Sequence, residues 1–327
     1  MTKHSDVLPR RQFLRVLTAG TVSFTLPAAP GSKPLRGIFP IAQSPFTTAD
    51  KLDLDCLVAQ VPFLDRGGVP GCVWPQIASE WTALTESERM AGAEALIAAG
   101  KKLRPAIVIG VQAPDTGTAV KYAKHAATAG ADALISLPPK DADVPALIEY
   151  YKAVGSATSL PLFAQAVGDL SVDQLIAMYK AVPTLRYVKD EAGQPLERVG
   201  PLREKSGDHL KVFTGMHGKT LIEEMIRGFS GSMPAAGFAD LYAQAWDLWH
   251  EGKQREAVDM FGKAAILIQE VTVYGTESLK YILVLRGVFK TYNTREHGKA
   301  GKGTHLDEES KKVLAQIIGL MKPYFRA

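Results

Sequence analysis

Lys189 ends a short β-branched and aromatic run, Leu185-Arg186-Tyr187-Val188-Lys189, which continues through Asp190-Glu191-Ala192 and breaks at Gly193. An ammonium at the end of an apolar strand costs several kcal/mol to bury unless it is paired or discharged. One route to tolerance is a lowered pKa, and a neutral amine is the species that attacks a carbonyl carbon to form an imine. The plainer alternative is a strand-end lysine that leans into solvent. Tyr187 stands two residues earlier, so the period of two turns both side chains to one face. A phenol beneath a lysine packs, hydrogen-bonds or carries protons.

The surrounding elements decide where such a lysine would stand. Strand-like apolar runs are Gly37–Ala42, Gly71–Trp74, Ala106–Gly110, Ala133–Leu137, Leu162–Gln165, Leu185–Lys189, Lys211–Thr214 and Gly231–Met233. Between them, amphipathic helix patterns begin near Asp53, Thr85, Asp115, Asp143, Ser171, Pro195, Thr220 and Phe238. Thr85-Glu86-Ser87-Glu88 and Ser171-Val172-Asp173-Gln174 carry N-terminal capping chemistry. Gly67-Gly68, Gly100 and Gly130 fall where a left-handed helix cap is wanted. Eight strand–helix units of roughly 25 residues, with strands apolar on both faces, predict a (β/α)8 barrel. A doubly wound sheet fits less well, because Phe39-Pro40-Ile41-Ala42-Gln43-Ser44-Pro45-Phe46 stands where a glycine-rich phosphate loop is needed. Further helical patterns at Gln254–Val271, Glu277–Val288 and Asp307–Tyr324 predict a C-terminal helical extension, with a polar loop at Arg295–Gly303. The expected organisation is a segment at 1–30, a barrel at 31–251 and the extension at 252–327.

Barrels of this kind carry their active sites at the carboxyl ends of the strands. Those ends hold Gln43 and Ser44, Pro75 to Glu80, Pro138-Pro139-Lys140, Gln165, Lys189, Met216-His217 and Pro234-Ala235. Lys140 is a second cation near the mouth, able to depress the Lys189 pKa or meet a substrate carboxylate. His217 is a candidate base, and Glu80 is expected to bond backbone in its loop. Cys56 and Cys72 have no metal-ligand spacing and read as buried apolar residues. No ligand cluster calls for a metal or an organic cofactor.

The formal net charge is +4, of which +3 lies in the first thirty residues. The near-neutral remainder gives no nucleic-acid footprint. Arg10-Arg11-Gln12-Phe13-Leu14-Arg15 precedes an apolar run from Val16 to Ala29 with small residues near its end. This layout resembles a bacterial twin-arginine export signal, with Pro9 where that pattern prefers Ser or Thr. The run is too short and too broken by Gly and Pro to insert stably in a bilayer, so an exported, periplasmic protein is expected.

Taken together, the chain resembles the dihydrodipicolinate synthase / N-acetylneuraminate lyase family of Schiff-base aldolases from about Leu35 to Glu251. The carriers are Pro40-Ile41-Ala42-Gln43-Ser44-Pro45-Phe46, Arg66-Gly67-Gly68-Val69-Pro70-Gly71, Ser79-Glu80-Trp81 ahead of Leu84-Thr85-Glu86-Ser87-Glu88-Arg89, and Ala129-Gly130-Ala131-Asp132-Ala133. Most specific is Val188-Lys189-Asp190-Glu191-Ala192-Gly193, similar to the family's Ile-Lys-Asp-Ser-Ser-Gly. The resemblance implies an imine between Lys189 and pyruvate or another 2-oxo acid, and a homotetramer. The departures are equally specific. Gln76-Ile77-Ala78-Ser79-Glu80 replaces the family's Gly-Thr/Ser-Thr-Gly-Glu, and Leu137-Pro138-Pro139-Lys140-Asp141 replaces the run that ends in a proton-shuttling tyrosine. Phe163-Ala164-Gln165-Ala166 stands for Tyr-Asn-x-Pro, and Gly215-Met216-His217 for Gly-x-Asp. Losing a general acid or base typically costs roughly 10²–10⁴-fold in rate, which argues for a reaction other than dihydrodipicolinate synthesis or sialate cleavage. Lys189, Lys140 and Tyr187 are therefore the expected catalytic residues. Ser44, Ile77, Ala78, Ser79, Gln165 and His217 are the expected substrate-binding ones. A non-catalytic barrel that binds a keto acid or sugar acid is the alternative.

Overall fold

The computed structural model describes residues 33–296 and 305–327. The expected export segment and the far end of the Arg295–Gly303 loop lie outside the described residues. Eight parallel strands alternate with helices. They are β1 (Gly37–Ile38), β2 (Gly71–Trp74), β3 (Ala106–Gly110), β4 (Ala133–Ser136), β5 (Leu162–Ala166), β6 (Leu185–Asp190), β7 (Lys211–Thr214) and β8 (Gly231–Ser232). Their order, β1-β8-β7-β6-β5-β4-β3-β2, brings the first strand back beside the second. There Ala42 N donates to Val73 O (2.9 Å) and Val73 N to Pro40 O (3.0 Å), so the chain forms a nearly closed (β/α)8 barrel. Regular pairing of β1 with β8 covers two residues, fewer than the apolar run predicts, and beyond them Ile41 makes isolated bridges to Val73 and Ala235.

The helices around the barrel are α1 (Leu54–Arg66), α2 (Glu86–Gly100), α3 (Thr116–Ala129), α4 (Val144–Ser156), α5 (Val172–Ala181), α6 (Pro195–Ser206), α7 (Leu221–Arg227) and α8 (Ala239–His250). Five begin on a side chain that accepts from the third backbone N–H of the helix: Asp53, Thr85, Asp115, Asp143 and Ser171. These caps satisfy donors that have no partner inside the helix. Gly68 and Gly130 adopt the expected positive φ. Gly100 does not; it is the last residue of α2, where a Cβ would stand 2.4 Å from Ile107 Cγ1. Glycine is required there by close helix–strand approach, not by a left-handed cap.

The strands bury both faces. Val73, Val108, Ile135, Phe163 and Phe213 fill the barrel, while Cys72, Ile107, Leu134 and Val212 face the helices. Both cysteines are free and buried, and burial pushes the Cys72 thiol up to about 12. The extension consists of α9 (Gln254–Leu285) and α10 (Glu308–Met321). The two helical patterns read at 254–271 and 277–288 are the arms of α9, which meet at Gly275 (φ 58°, ψ −136°). Among the described residues no helix is long and apolar enough to cross a membrane.

Candidate active site

Period-two alternation places Phe163 and Gln165 of β5, and Tyr187 and Lys189 of β6, on the inner face of the barrel. The register pairs Phe163 with Tyr187 and Gln165 with Lys189. The lower pair belongs to an aromatic floor. Tyr187 stacks on Phe163 with centroids 4.4 Å apart, and Phe213 meets Phe163 edge-on at 5.3 Å. Burial raises the Tyr187 phenol. The upper pair opens onto a cavity of about 210 Å³ at the carboxyl ends of the strands.

Lys189 is 5% exposed and lines this cavity. Of the two ways to tolerate a buried lysine, the structure shows pairing: its Nζ lies 2.9 Å from Glu191 Oε2. Gln165 Nε2 donates to the same oxygen at 2.6 Å, and the Met216 backbone N–H donates to Oε1 at 2.9 Å. Burial alone would push the Glu191 carboxyl upward, but the Lys189 charge and these donors hold it below its usual range. The N–H of Met216 is aimed by an unusual turn. Met216 and His217 both have positive φ (50° and 61°), a conformation that costs non-glycine residues about 1–2 kcal/mol each. His217 lines the cavity, and burial lowers its pKa, so the imidazole is neutral at neutral pH. Its carbonyl accepts from the Tyr242 hydroxyl of α8, which pins the turn to the helix layer.

Gly215, just before that turn, leaves the space that the Glu191 carboxylate and the end of Lys189 occupy. A Cβ at 215 would stand 2.0 Å from Glu191 Oε1 and 2.6 Å from Lys189 Cε. The rest of the wall is largely apolar, from Ile77, Ala78, Met216, Met233 and, out of the α9 break, Gly275, Thr276 and Leu279.

The expected site residues thus divide. Lys189, Gln165, His217, Ile77 and Ala78 share the cavity. Ser44 and Ser79 do not line it, because their hydroxyls are spent on the loops beneath. Ser44 Oγ donates to Ser79 O (2.5 Å) and accepts from Trp74 Nε1 (2.9 Å), while Ser79 Oγ donates to Ala42 O (2.6 Å). Tyr187 is held in the aromatic floor, one layer below. Lys140 stands on an exposed loop (side chain 93% accessible) beside a separate cleft that also includes Trp81, Gln112 and Asp169. Glu80 is fully buried; it pairs with Lys280 of α9 and accepts from the backbone N–H groups of Arg295 (2.7 Å) and Glu296 (2.9 Å), the structural role expected of it. Sequence reasoning passed over Glu191. The signal was present, since Glu191 follows Lys189 by two residues and so repeats its parity.

A parallel barrel with a buried, carboxylate-paired lysine at its catalytic rim belongs to the class of folds that supports imine chemistry. Residues 34–317 match the Dihydrodipicolinate synthetase family, and the chain belongs to that family. It is 26% identical over 258 residues to the probable 2-dehydro-3-deoxy-D-pentonate aldolase YjhH of Escherichia coli (strain K12), covering 75% of this chain and 84% of that protein. It is 30% identical over 191 residues to the 4-hydroxy-tetrahydrodipicolinate synthase of Rhizobium meliloti (strain 1021), covering 56% of this chain and 63% of the relative. Against four curated 4-hydroxy-tetrahydrodipicolinate synthases, the aligned stretch spans 43% to 63% of their length. Such synthases and aldolases are lyases. Among solved structures, the fold superposes on YagE, a prophage protein of the dihydrodipicolinic acid synthase family from Escherichia coli K12 in complex with pyruvate. The TM-score is 0.79 at 21% identity, covering 88% of this chain and 99% of that one.

Proposed function

We propose that this protein is a class I lyase or aldolase in which Lys189 forms an imine with pyruvate or a sugar-derived 2-oxo acid. The observation that carries this reading is a lysine buried at the carboxyl end of β6, opening into a cavity at the catalytic rim of the barrel. Nζ attacks the substrate carbonyl, water leaves, and the protonated imine takes up the electron pair of a C–C bond that breaks one carbon away, or of a C–H bond there, after which the enamine expels an oxygen leaving group that departs with the C–O pair. Gln165 offers Oε1, which has no hydrogen-bond partner among the described residues, to a substrate hydroxyl. Neutral His217 supplies a further acceptor, and the apolar wall keeps water from the imine. The relatives' names and the YagE–pyruvate complex support a 2-oxo acid. The arginine pair and the apolar run of the N-terminal segment support export to the periplasm, and the family resemblance supports a homotetramer.

A second reading has its own observation. Ile77 and Ala78 face the cavity where the family pattern has hydroxyls, which favours a barrel that binds a keto acid or sugar acid without turnover. Borohydride reduction in the presence of pyruvate and a panel of sugar-derived 2-oxo acids separates the two. A substrate-sized adduct on the Lys189 peptide, absent from Lys189→Ala, is the expected result. Reversible thermal stabilisation by one of these acids without any adduct would establish the binding barrel instead.

A further inference from the structure

The imine reading leaves proton transfer without an agent, since Tyr187 lies in the floor and Lys140 beside another cleft. We infer that Glu191 is the proton carrier of this site, serving both imine formation and the carbon beside it. The inference rests on the Lys189 imine. Four features of the structure converge on that carboxylate. Its Oε2 is 2.9 Å from the reacting nitrogen, within direct proton-transfer distance. Both oxygens are oriented, Oε2 by Gln165 and Oε1 by the Met216 N–H. The turn that aims this N–H holds two consecutive non-glycine residues at positive φ, the kind of strain that concentrates at functional sites. Gly215 leaves the space that the carboxylate occupies. A structural counter-ion for Lys189 would need the pairing, the donors and the space, but not a carboxylate that itself lines the cavity beside the reacting nitrogen, as Glu191 does.

The steps balance around one carboxylate. Glu191 takes a proton from the Lys189 ammonium, and the freed electron pair forms the C–N bond while the carbonyl π pair moves to oxygen. The Glu191 carboxylic acid protonates that oxygen and then takes the second proton from nitrogen, giving the carbinolamine. Returned to the hydroxyl, this proton lets water leave, so the products are the protonated imine, water and the Glu191 carboxylate. The carboxylate next removes a proton from the adjacent carbon. The C–H pair becomes the C=C bond, the C=N pair returns to nitrogen, and an enamine results. Reversal of this last step in heavy water places deuterium on that carbon.

The test therefore follows deuterium entry into the methyl group of pyruvate alongside borohydride capture, for the full chain and for Glu191→Gln. The expected result is that Glu191→Gln still yields the Lys189 adduct on long incubation, while methyl exchange falls by roughly 10²–10⁴-fold. Glu191→Ala should regain exchange on addition of acetate, which a residue needed only for folding would not allow. Exchange in Glu191→Gln at the wild-type rate, with the adduct intact, would overturn the role of Glu191 and leave the lysine reading standing. Absence of any adduct in the wild-type protein would overturn the lysine reading and the inference together.

Discussion

Gly215→Ala isolates the placement of reacting atoms from the stability of the barrel. The added Cβ would lie 2.0 Å from Glu191 Oε1, 2.4 Å from Glu191 Cδ and 2.6 Å from Lys189 Cε. Ordinary carbon contacts need about 3.5–4.0 Å, so these atoms must retreat by more than about 1 Å. All three belong to the far ends of flexible side chains, which yield by rotation without moving a strand. The stability loss should therefore stay near the low end of overpacking costs, about 1 kcal/mol. The atoms that yield are nevertheless the nucleophile and its carboxylate, and a misplacement of about 1 Å can cost roughly 10²-fold in rate. The assay is the rate of Lys189 adduct formation with pyruvate under borohydride, read beside a urea midpoint. A wild-type adduct rate in a protein of near wild-type midpoint would refute the claim that this carboxylate–amine geometry matters. A variant that loses several kcal/mol would refute the claim that only side-chain ends are displaced.

Two further predictions concern buried charge. Lys280→Met strands the Glu80 carboxylate and should cost about 3–5 kcal/mol in urea denaturation, much of it regained by the double variant Glu80→Gln/Lys280→Met; a single-variant loss below about 1 kcal/mol would contradict the pairing. Glu224, buried behind β7 and β8, is pushed by desolvation from 4.5 up to about 7 against the pull of the Thr214, Thr220 and Ser232 hydroxyls. The folded state then keeps a proton that the unfolded state has released, so stability should fall as pH rises from 4.5 to about 7 and then level off, at a cost of about 3 kcal/mol. Glu224→Gln should remove that slope, as unfolding curves at about pH 5 and about pH 8 would show.

Much of this architecture was legible because it is local or periodic. Apolar runs alternating with helical patterns gave every strand–helix unit, five of them marked by Asp, Thr or Ser caps, and the parity of β6 put Lys189 at the rim. What escaped was the destination of polar groups. Ser44 and Ser79 read as cavity hydroxyls, because a sequence does not show that a neighbouring loop carbonyl already accepts their protons. Lys140 follows a strand, yet the turn after β4 carries it to a different cleft. Glu191 keeps the parity of Lys189 but lies one residue beyond the last paired residue of β6, past the point where the apolar run had ended. The α9 wall comes from residues more than eighty positions after Lys189, a distance over which neither periodicity nor propensity carries information.

The break at Gly275 divides labour between the two parts of the protein. Lysine, carboxylate and the turn that aims them are written into the rim of β5 to β7. One side of the space the substrate must fill is written separately, into Thr276 and Leu279 of the extension. Changes in that arm can reshape the chamber while every barrel strand keeps its sequence. On the imine reading, the shape of the chamber can therefore be altered through Thr276 and Leu279 without touching Lys189 or Glu191.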